Sequence, residues 1–161
     1  MFNSSRFLTV KIRLYRKEDL NDVLELANKY AAFDGKTTES DLAVTTLFPG
    51  GFWIAQDAES IVGFVYGHLK EVPDEVLEKW QAKKVGYIQL MAVAPIYRRR
   101  GVGQSLLSKL ISEFKKEGAD LVLLDCPAEA TEAKRLYEKM GFEARFYGMK
   151  KRLRVRSKNT S

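Results

Sequence analysis

Between residues 85 and 124 the chain passes from an apolar segment through three arginines and two closely spaced glycines, then a helix-like stretch, then an unbroken apolar run. Val85–Val93 suits a strand; Val102, Leu106, Leu107, Leu110, Ile111 and Phe114 recur at helical spacing before Gly118. Leu121–Leu124 is uninterruptedly apolar, the pattern of a central, parallel-paired strand covered on both faces. Strand, helix and strand of this kind close as a right-handed crossover, which puts the turn Arg98-Arg99-Arg100-Gly101-Val102-Gly103-Gln104-Ser105 at the carboxyl end of a strand. Open α/β sheets bind ligands there. Glycines let the backbone curl and approach a ligand, and the first N–H groups of the helix point outward without partners. The turn therefore reads as a cradle for an anion, and a diphosphate would use several donors at once.

The remaining patterning fits one domain around this unit. Val10–Leu14 alternates apolar with charged residues as a half-exposed strand, and residues 17 to 32 carry one apolar helical face. A short helix is expected from Thr38 through Val44 and Leu47, stopped at Pro49-Gly50-Gly51. Residues 52–56 and 61–69 form a hairpin rich in β-branched and aromatic side chains, with Gly63 and Gly67 on one face and Phe64, Tyr66 and His68 on the other. Residues 73–84 are a charged excursion containing a short helix, and are a candidate wall on the substrate side. A last helix over residues 130–140 and two short strands, 142–146 and 148–153, complete the expected domain of residues 10–153. Residues 1–9 then form an N-terminal extension and residues 154–161 a basic, flexible tail.

Composition narrows the classes. At 161 residues the chain is long enough for a core without staples, and no apolar run approaches a membrane span. The single cysteine, Cys126, excludes an internal disulfide; with the single histidine, His68, it excludes the familiar Cys/His zinc spacings, so no metal is expected. The first residues lack the apolar stretch and cleavage site of a secretory signal, so the expected location is cytoplasmic. A net charge of +6 with a basic C-terminus raises nucleic acid as a partner, but the arginines beside the glycine turn give part of that charge a more local use.

The glycine turn is not the dinucleotide fingerprint, because Leu106 occupies the third glycine position. Arg98-Arg99-Arg100-Gly101-Val102-Gly103 instead resembles the arginine-x-x-glycine-x-glycine motif of the Gcn5-related N-acetyltransferase (GNAT) family. The context agrees, with Leu90-Met91-Ala92-Val93-Ala94-Pro95 before it and Leu106-Leu107 after. Ala133-Lys134-Arg135-Leu136-Tyr137-Glu138-Lys139-Met140-Gly141-Phe142 is similar to the family's late helix and the turn that follows it. The resemblance covers residues 10 to 153. It implies a mixed α/β fold: a mostly antiparallel central sheet, a splayed parallel pair at the cofactor site, and flanking helices.

The same resemblance implies an acyltransferase that moves an acetyl group from acetyl-coenzyme A directly to a primary amine, the alternative being an acyl-coenzyme A-binding module without turnover. The diphosphate would lie on the N–H groups around Arg99 to Ser105, and the pantetheine arm along Met91, Ala92 and Val93. Where members often carry an asparagine seven residues before the tyrosine, this chain has Ala130. That contact is then missing, or is supplied by Thr131 or a water. Tyr137 shares a helix face with Ala133 and Met140; periodicity alone makes it a core tyrosine, and the resemblance makes it the acid for the departing thiolate. Tyr87, Gln89, Met91 and Val93 share a strand face that carries no carboxylate, so His68 and Glu71, acting through water, join Tyr87 and Gln89 as candidates for the substrate and base side. Near pH 7 an α-amine is free far more often than a lysine amine, so a weakly equipped base leans slightly towards an α-amine, a small amine or a high working pH. Cys126 follows an apolar strand and reads as a small buried hydrophobe rather than a nucleophile. The resemblance also accommodates a homodimer, for which the sequence marks no interface.

Overall fold

The alternating segments pair into one sheet around which two helices pack from opposite sides, in a computed structural model describing residues 9–32, 34–43 and 48–154. Its strands are β1 (Val10–Leu14), β2 (Phe52–Asp57), β3 (Ser60–Lys70), β4 (Val85–Val93) and β5 (Leu121–Leu124). They lie in chain order across the sheet; β1 to β4 are antiparallel neighbours and β4–β5 is parallel. The helices are α1 (Leu20–Tyr30), α2 (Glu39–Leu42), α3 (Asp74–Trp80), α4 (Val102–Lys116) and α5 (Thr131–Lys139). The mixed sheet and flanking helices are those the sequence implied.

Period-two alternation along β3 divides the core. Phe64 and Tyr66 face α1, where Val23, Leu26 and Ala27 meet Phe52 and Ile54. Val65 faces the opposite side, where Leu106, Leu107, Leu110 and Phe114 of α4 pack on Ala55, Ile88 and Val93. Gly67 and Gly86 form the floor beneath Phe114: a Cβ on Gly86 would lie 2.6 Å from its ring, and one on Gly67 would lie 2.3 Å from the Tyr87 carbonyl. At the far edge, Arg13 reaches from β1 to grip both carboxylate oxygens of buried Asp19, at 2.7 and 2.8 Å, fixing the turn that starts α1.

Two expectations change, and a third falls partly outside the described residues. Residues 142–146 and 148–153 form no strands: residues 143–153 are exposed throughout and make no backbone hydrogen bond among the described residues. Their pattern suits a strand, but no strand pairs with them among the described residues. Leu121–Leu124 is accordingly an edge strand, its four side chains only half-buried, rather than a central one. The second helix is described only over Glu39–Leu42; Val44 and Leu47, like residues 1–8 and 155–161, lie outside the described residues.

Candidate active site

At the site the shorter of two neighbouring strands ends before the longer one. β5 pairs with β4 only from Val85↔Leu121 to Ile88↔Leu124, whereas β4 runs on to Val93. From Gln89 to Val93 the side of β4 away from β3 therefore has no strand partner among the described residues, and Met91 to Val93 lie on this open stretch. A short 3-10 turn, Pro95–Tyr97, then leads into residues 98–101, where Arg99 (φ 59°) and Gly101 (φ 82°) both adopt the left-handed conformation. That local geometry turns successive amides the same way. The six backbone N–H groups of residues 99 to 104 have no acceptor among the described residues, and the first bonded amide is Ser105 to the Gly101 carbonyl at 3.0 Å. With the positive end of α4, they make the anion cradle.

The two glycines have different uses. Gly101 has open space where a Cβ would stand, so its backbone conformation is what requires it. At Gly103 a Cβ would lie 2.9 Å from Leu136, so its bareness lets α4 and α5 approach, which differs from the ligand approach expected for both glycines. The arginines divide too. Arg98 donates from Nε to the Val93 carbonyl (2.9 Å) and sits 3.5 Å from Glu132, tying the turn to the strand end and to α5. Arg99 is 3.8 Å from the same carboxylate, and Arg100 makes no hydrogen bond or ion pair among the described residues. Both are exposed at the mouth, as are Gln104 and Ser105, while Val102 is buried and anchors the helix start in the core.

Tyr137 points inward from α5, its ring edge-on to Phe142 with centroids 5.8 Å apart. Its hydroxyl has no hydrogen-bond partner among the described residues, and burial, with a smaller contribution from Cys126, pushes the phenol up to about 12. It therefore holds its proton at neutral pH. Burial also raises the Cys126 thiol, whose Sγ faces the Pro127 and Ala130 carbonyls at 3.7 and 3.8 Å, so it is no ready thiolate.

On the paired part of β4, Tyr87 donates to Asp125 at 2.9 Å, and its phenol is pushed up to about 12, first by burial and then by that carboxylate. The His68 ring lies 5.6 Å from Tyr87 and Lys70 Nζ sits 4.6 Å over the same ring. His68 and Tyr87 are thus brought together, with His68 Nδ1 3.0 Å from the Leu69 carbonyl. Gln89 is exposed on β4, and Glu71 is exposed beyond the end of β3 without a hydrogen bond or ion pair among the described residues. Sequence reasoning passed over Asp125; a carboxylate directly after an apolar run, at the carboxyl end of a strand, was the available signal. Among the described residues no three His, Cys, Asp or Glu side chains gather as metal ligands would, and no helix is long and apolar enough to cross a membrane.

A mixed sheet whose one parallel pair is shorter than its neighbours, with a helix N-terminus rich in free amides beside it, defines an α/β class whose site suits a phosphate-bearing ligand beside a strand edge. Within that class the chain belongs to the acetyltransferase (GNAT) family, whose model matches residues 20–142. It is 32% identical over 143 residues to an uncharacterized N-acetyltransferase of Methanocaldococcus jannaschii, covering 84% of this chain and 61% of that protein. The chain thus spans about three-fifths of that relative's length. Among solved structures it resembles Ard1 from Thermoplasma volcanium at 26% identity and a TM-score of 0.69, covering 83% of this chain and 82% of the other. It also resembles Chaetomium thermophilum Naa20 in complex with a bisubstrate analogue, at 27% identity and a TM-score of 0.69, covering 82% and 70%.

Proposed function

We propose that the chain transfers an acetyl group from acetyl-coenzyme A directly to a primary amine. The observation that carries this is the run of six unpaired amides, residues 99 to 104, beside the unpaired stretch of β4. The amides fit a diphosphate, with Arg99 and Arg100 adding charge at the mouth, and the free strand edge fits an arm carrying peptide-like amides. Met91, Ala92 and Val93 would receive that arm. Coenzyme A, when bound, supplies an acetyl group activated as a thioester.

Tyr137 acts as the acid. As the amine nitrogen bonds to the acetyl carbon and the carbon–sulfur bond breaks, the phenol gives its proton to the departing sulfur. The amine's proton leaves through the Tyr87–Asp125 side, where Asp125 attracts the incoming ammonium and takes the proton directly or through water. A backbone N–H near Val93 holds the developing oxyanion. His68 lines this side through its contact with Tyr87. Glu71 and Gln89 are weaker candidates, because neither joins the cluster.

An α-amine is the favoured acceptor: an exposed carboxylate with no stronger base suits an amine that is already partly neutral at pH 7. The test is thiol release from acetyl-coenzyme A in the presence of a peptide with a free N-terminus, an N-terminally blocked lysine peptide, a polyamine, a free amino acid and an aminoglycoside. Turnover with the free N-terminus above the blocked peptide supports the reading. Absence of turnover with every acceptor, despite binding, leaves only a cofactor-binding module.

A further inference from the structure

The face of the sheet on which α1 lies is covered along only part of its length. Phe64 and Tyr66 of β3 and Ala92 of β4 are buried in the core beneath that helix. Alternation carries the next two side chains of this face, His68 and Lys70, towards the end of β3, where exposure returns. Gln89 falls at a register shift between β3 and β4, so Tyr87, the cross-strand neighbour of His68, shares this face rather than that of Met91 and Val93. Tyr87 packs into neither hydrophobic core. Two opposite charges flank its ring instead. Asp125 lies beyond the hydroxyl, accepting at 2.9 Å through Oδ2, and Lys70 Nζ stands 4.6 Å over the ring centre. Among the described residues neither charge is neutralised by an ion pair, with the other or with the neighbouring Glu71. Lys84, just before β4, is by contrast already spent on the Glu117 carbonyl at 2.7 Å.

We propose that the acceptor carries a carboxylate close to its α-amine, and that Lys70 is the residue that selects it. The ammonium is drawn to Asp125, whose Oδ1 accepts no hydrogen bond among the described residues, and the carboxylate to Lys70 Nζ. Tyr87 sets the spacing between them, held at its hydroxyl by Asp125 and at its face by Lys70. Legs of 2.9 and 4.6 Å meeting across a phenol ring keep the two charges within ~10 Å, and an α-amino acid with a hydrogen bond at either end spans ~8 Å. A free amino acid and a chain that begins with aspartate or glutamate both present this chemistry. A polyamine does not: its second ammonium would face Lys70, so the same lysine that attracts one class repels the other. The inference rests on the acetyl-transfer reading and narrows its acceptor from any α-amine to an acidic one.

Initial rates of thiol release by the full chain test it on two matched pairs of acceptors. One sets free amino acids against their amides; the other sets amidated peptides beginning with aspartate or glutamate against those beginning with asparagine or glutamine. The ratio kcat/KM should be about tenfold higher for the carboxylate-bearing member of at least one pair, the ordinary effect of one charge-assisted contact. Which pair responds tells a free amino acid from a protein N-terminus. In the first pair that order runs against amine acidity, because losing the carboxylate leaves the amide's amine more often neutral. Lys70→Met should bring the preference close to one and Lys70→Arg should keep it, a pattern that a merely structural lysine would not give. Equal use within both pairs, a preference that survives Lys70→Met, or turnover with polyamines alone overturns the proposal and leaves acetyl transfer standing. No thiol release with any amine refutes acetyl transfer itself, and the proposal falls with it.

Discussion

Replacing Tyr137 by phenylalanine separates a catalytic tyrosine from a packed one, because the structure gives its hydroxyl nothing to hold. The ring keeps its edge-on contact with Phe142, and the hydroxyl makes no hydrogen bond among the described residues. The variant therefore sacrifices no protein contact, and its stability near neutral pH should stay within about 0.5 kcal/mol of the parent. Turnover should fall by about 10²–10⁴-fold, the usual contribution of a positioned acid, equivalent to about 2.7–5.4 kcal/mol of barrier. Affinity for coenzyme A should be unchanged. The pH dependence supplies a further sign. Since burial raises the phenol from 10 to about 12, the unfolded chain ionises first, and the parent loses stability as pH rises from 10 through about 12. The variant lacks that loss. Thiol-release kinetics with a saturating amine, together with denaturant melts at neutral and alkaline pH, provide the measurements. Unchanged turnover would remove Tyr137 from the chemistry, and a large loss of stability at neutral pH would show a structural hydroxyl instead.

Other substitutions probe the rest of the account. Asp19→Ala leaves the largely buried Arg13 guanidinium unpaired and should cost about 3 kcal/mol in denaturant unfolding. The Arg13 hydrogen bonds hold the Asp19 carboxyl below its ordinary 3.8, so this contribution is complete above that pH and is lost as pH falls through the lower folded value; the variant should show a shallower acid loss of stability. Gly67→Ala drives a Cβ to 2.3 Å from the Tyr87 carbonyl and should destabilise by about 1–3 kcal/mol, measured by thermal or urea melts. Asp125→Asn preserves an acceptor for Tyr87 but removes the charge, and should weaken amine use about tenfold, near 1.4 kcal/mol, with coenzyme A affinity unaltered in parallel titrations.

Local pattern carried the sequence reading far where the physics is local. The helical spacing from Val102 to Phe114, the turn at Gly101 and the inward face of Tyr137 all follow from neighbours a few residues apart. Features that depend on distant partners were not legible. Asp125 matters because Tyr87, 38 residues away, donates to it. Gly103 is bare because Leu136 of another helix occupies the space its Cβ would need. Arg98 looks like a phosphate ligand in sequence, yet its Nε is spent on the Val93 carbonyl. The last two strands failed for the same reason: the alternation through Tyr147, Met149 and Leu153 is real, but a strand also needs a partner that pairs with it, and none does among the described residues. The apolar run Leu121–Leu124 is the other half of that lesson, a central strand by composition that stands at the edge of the sheet among the described residues.

The claim on which everything else depends is that the six free amides of residues 99 to 104 hold a diphosphate. Backbone ¹H–¹⁵N spectra recorded while coenzyme A is added test it most directly, with pantetheine, which lacks the diphosphate, as the control. The account predicts that coenzyme A shifts the amides of residues 99 to 104 most strongly, while pantetheine disturbs residues 89 to 93 and leaves the turn alone. Binding of coenzyme A with the turn amides unmoved would contradict it.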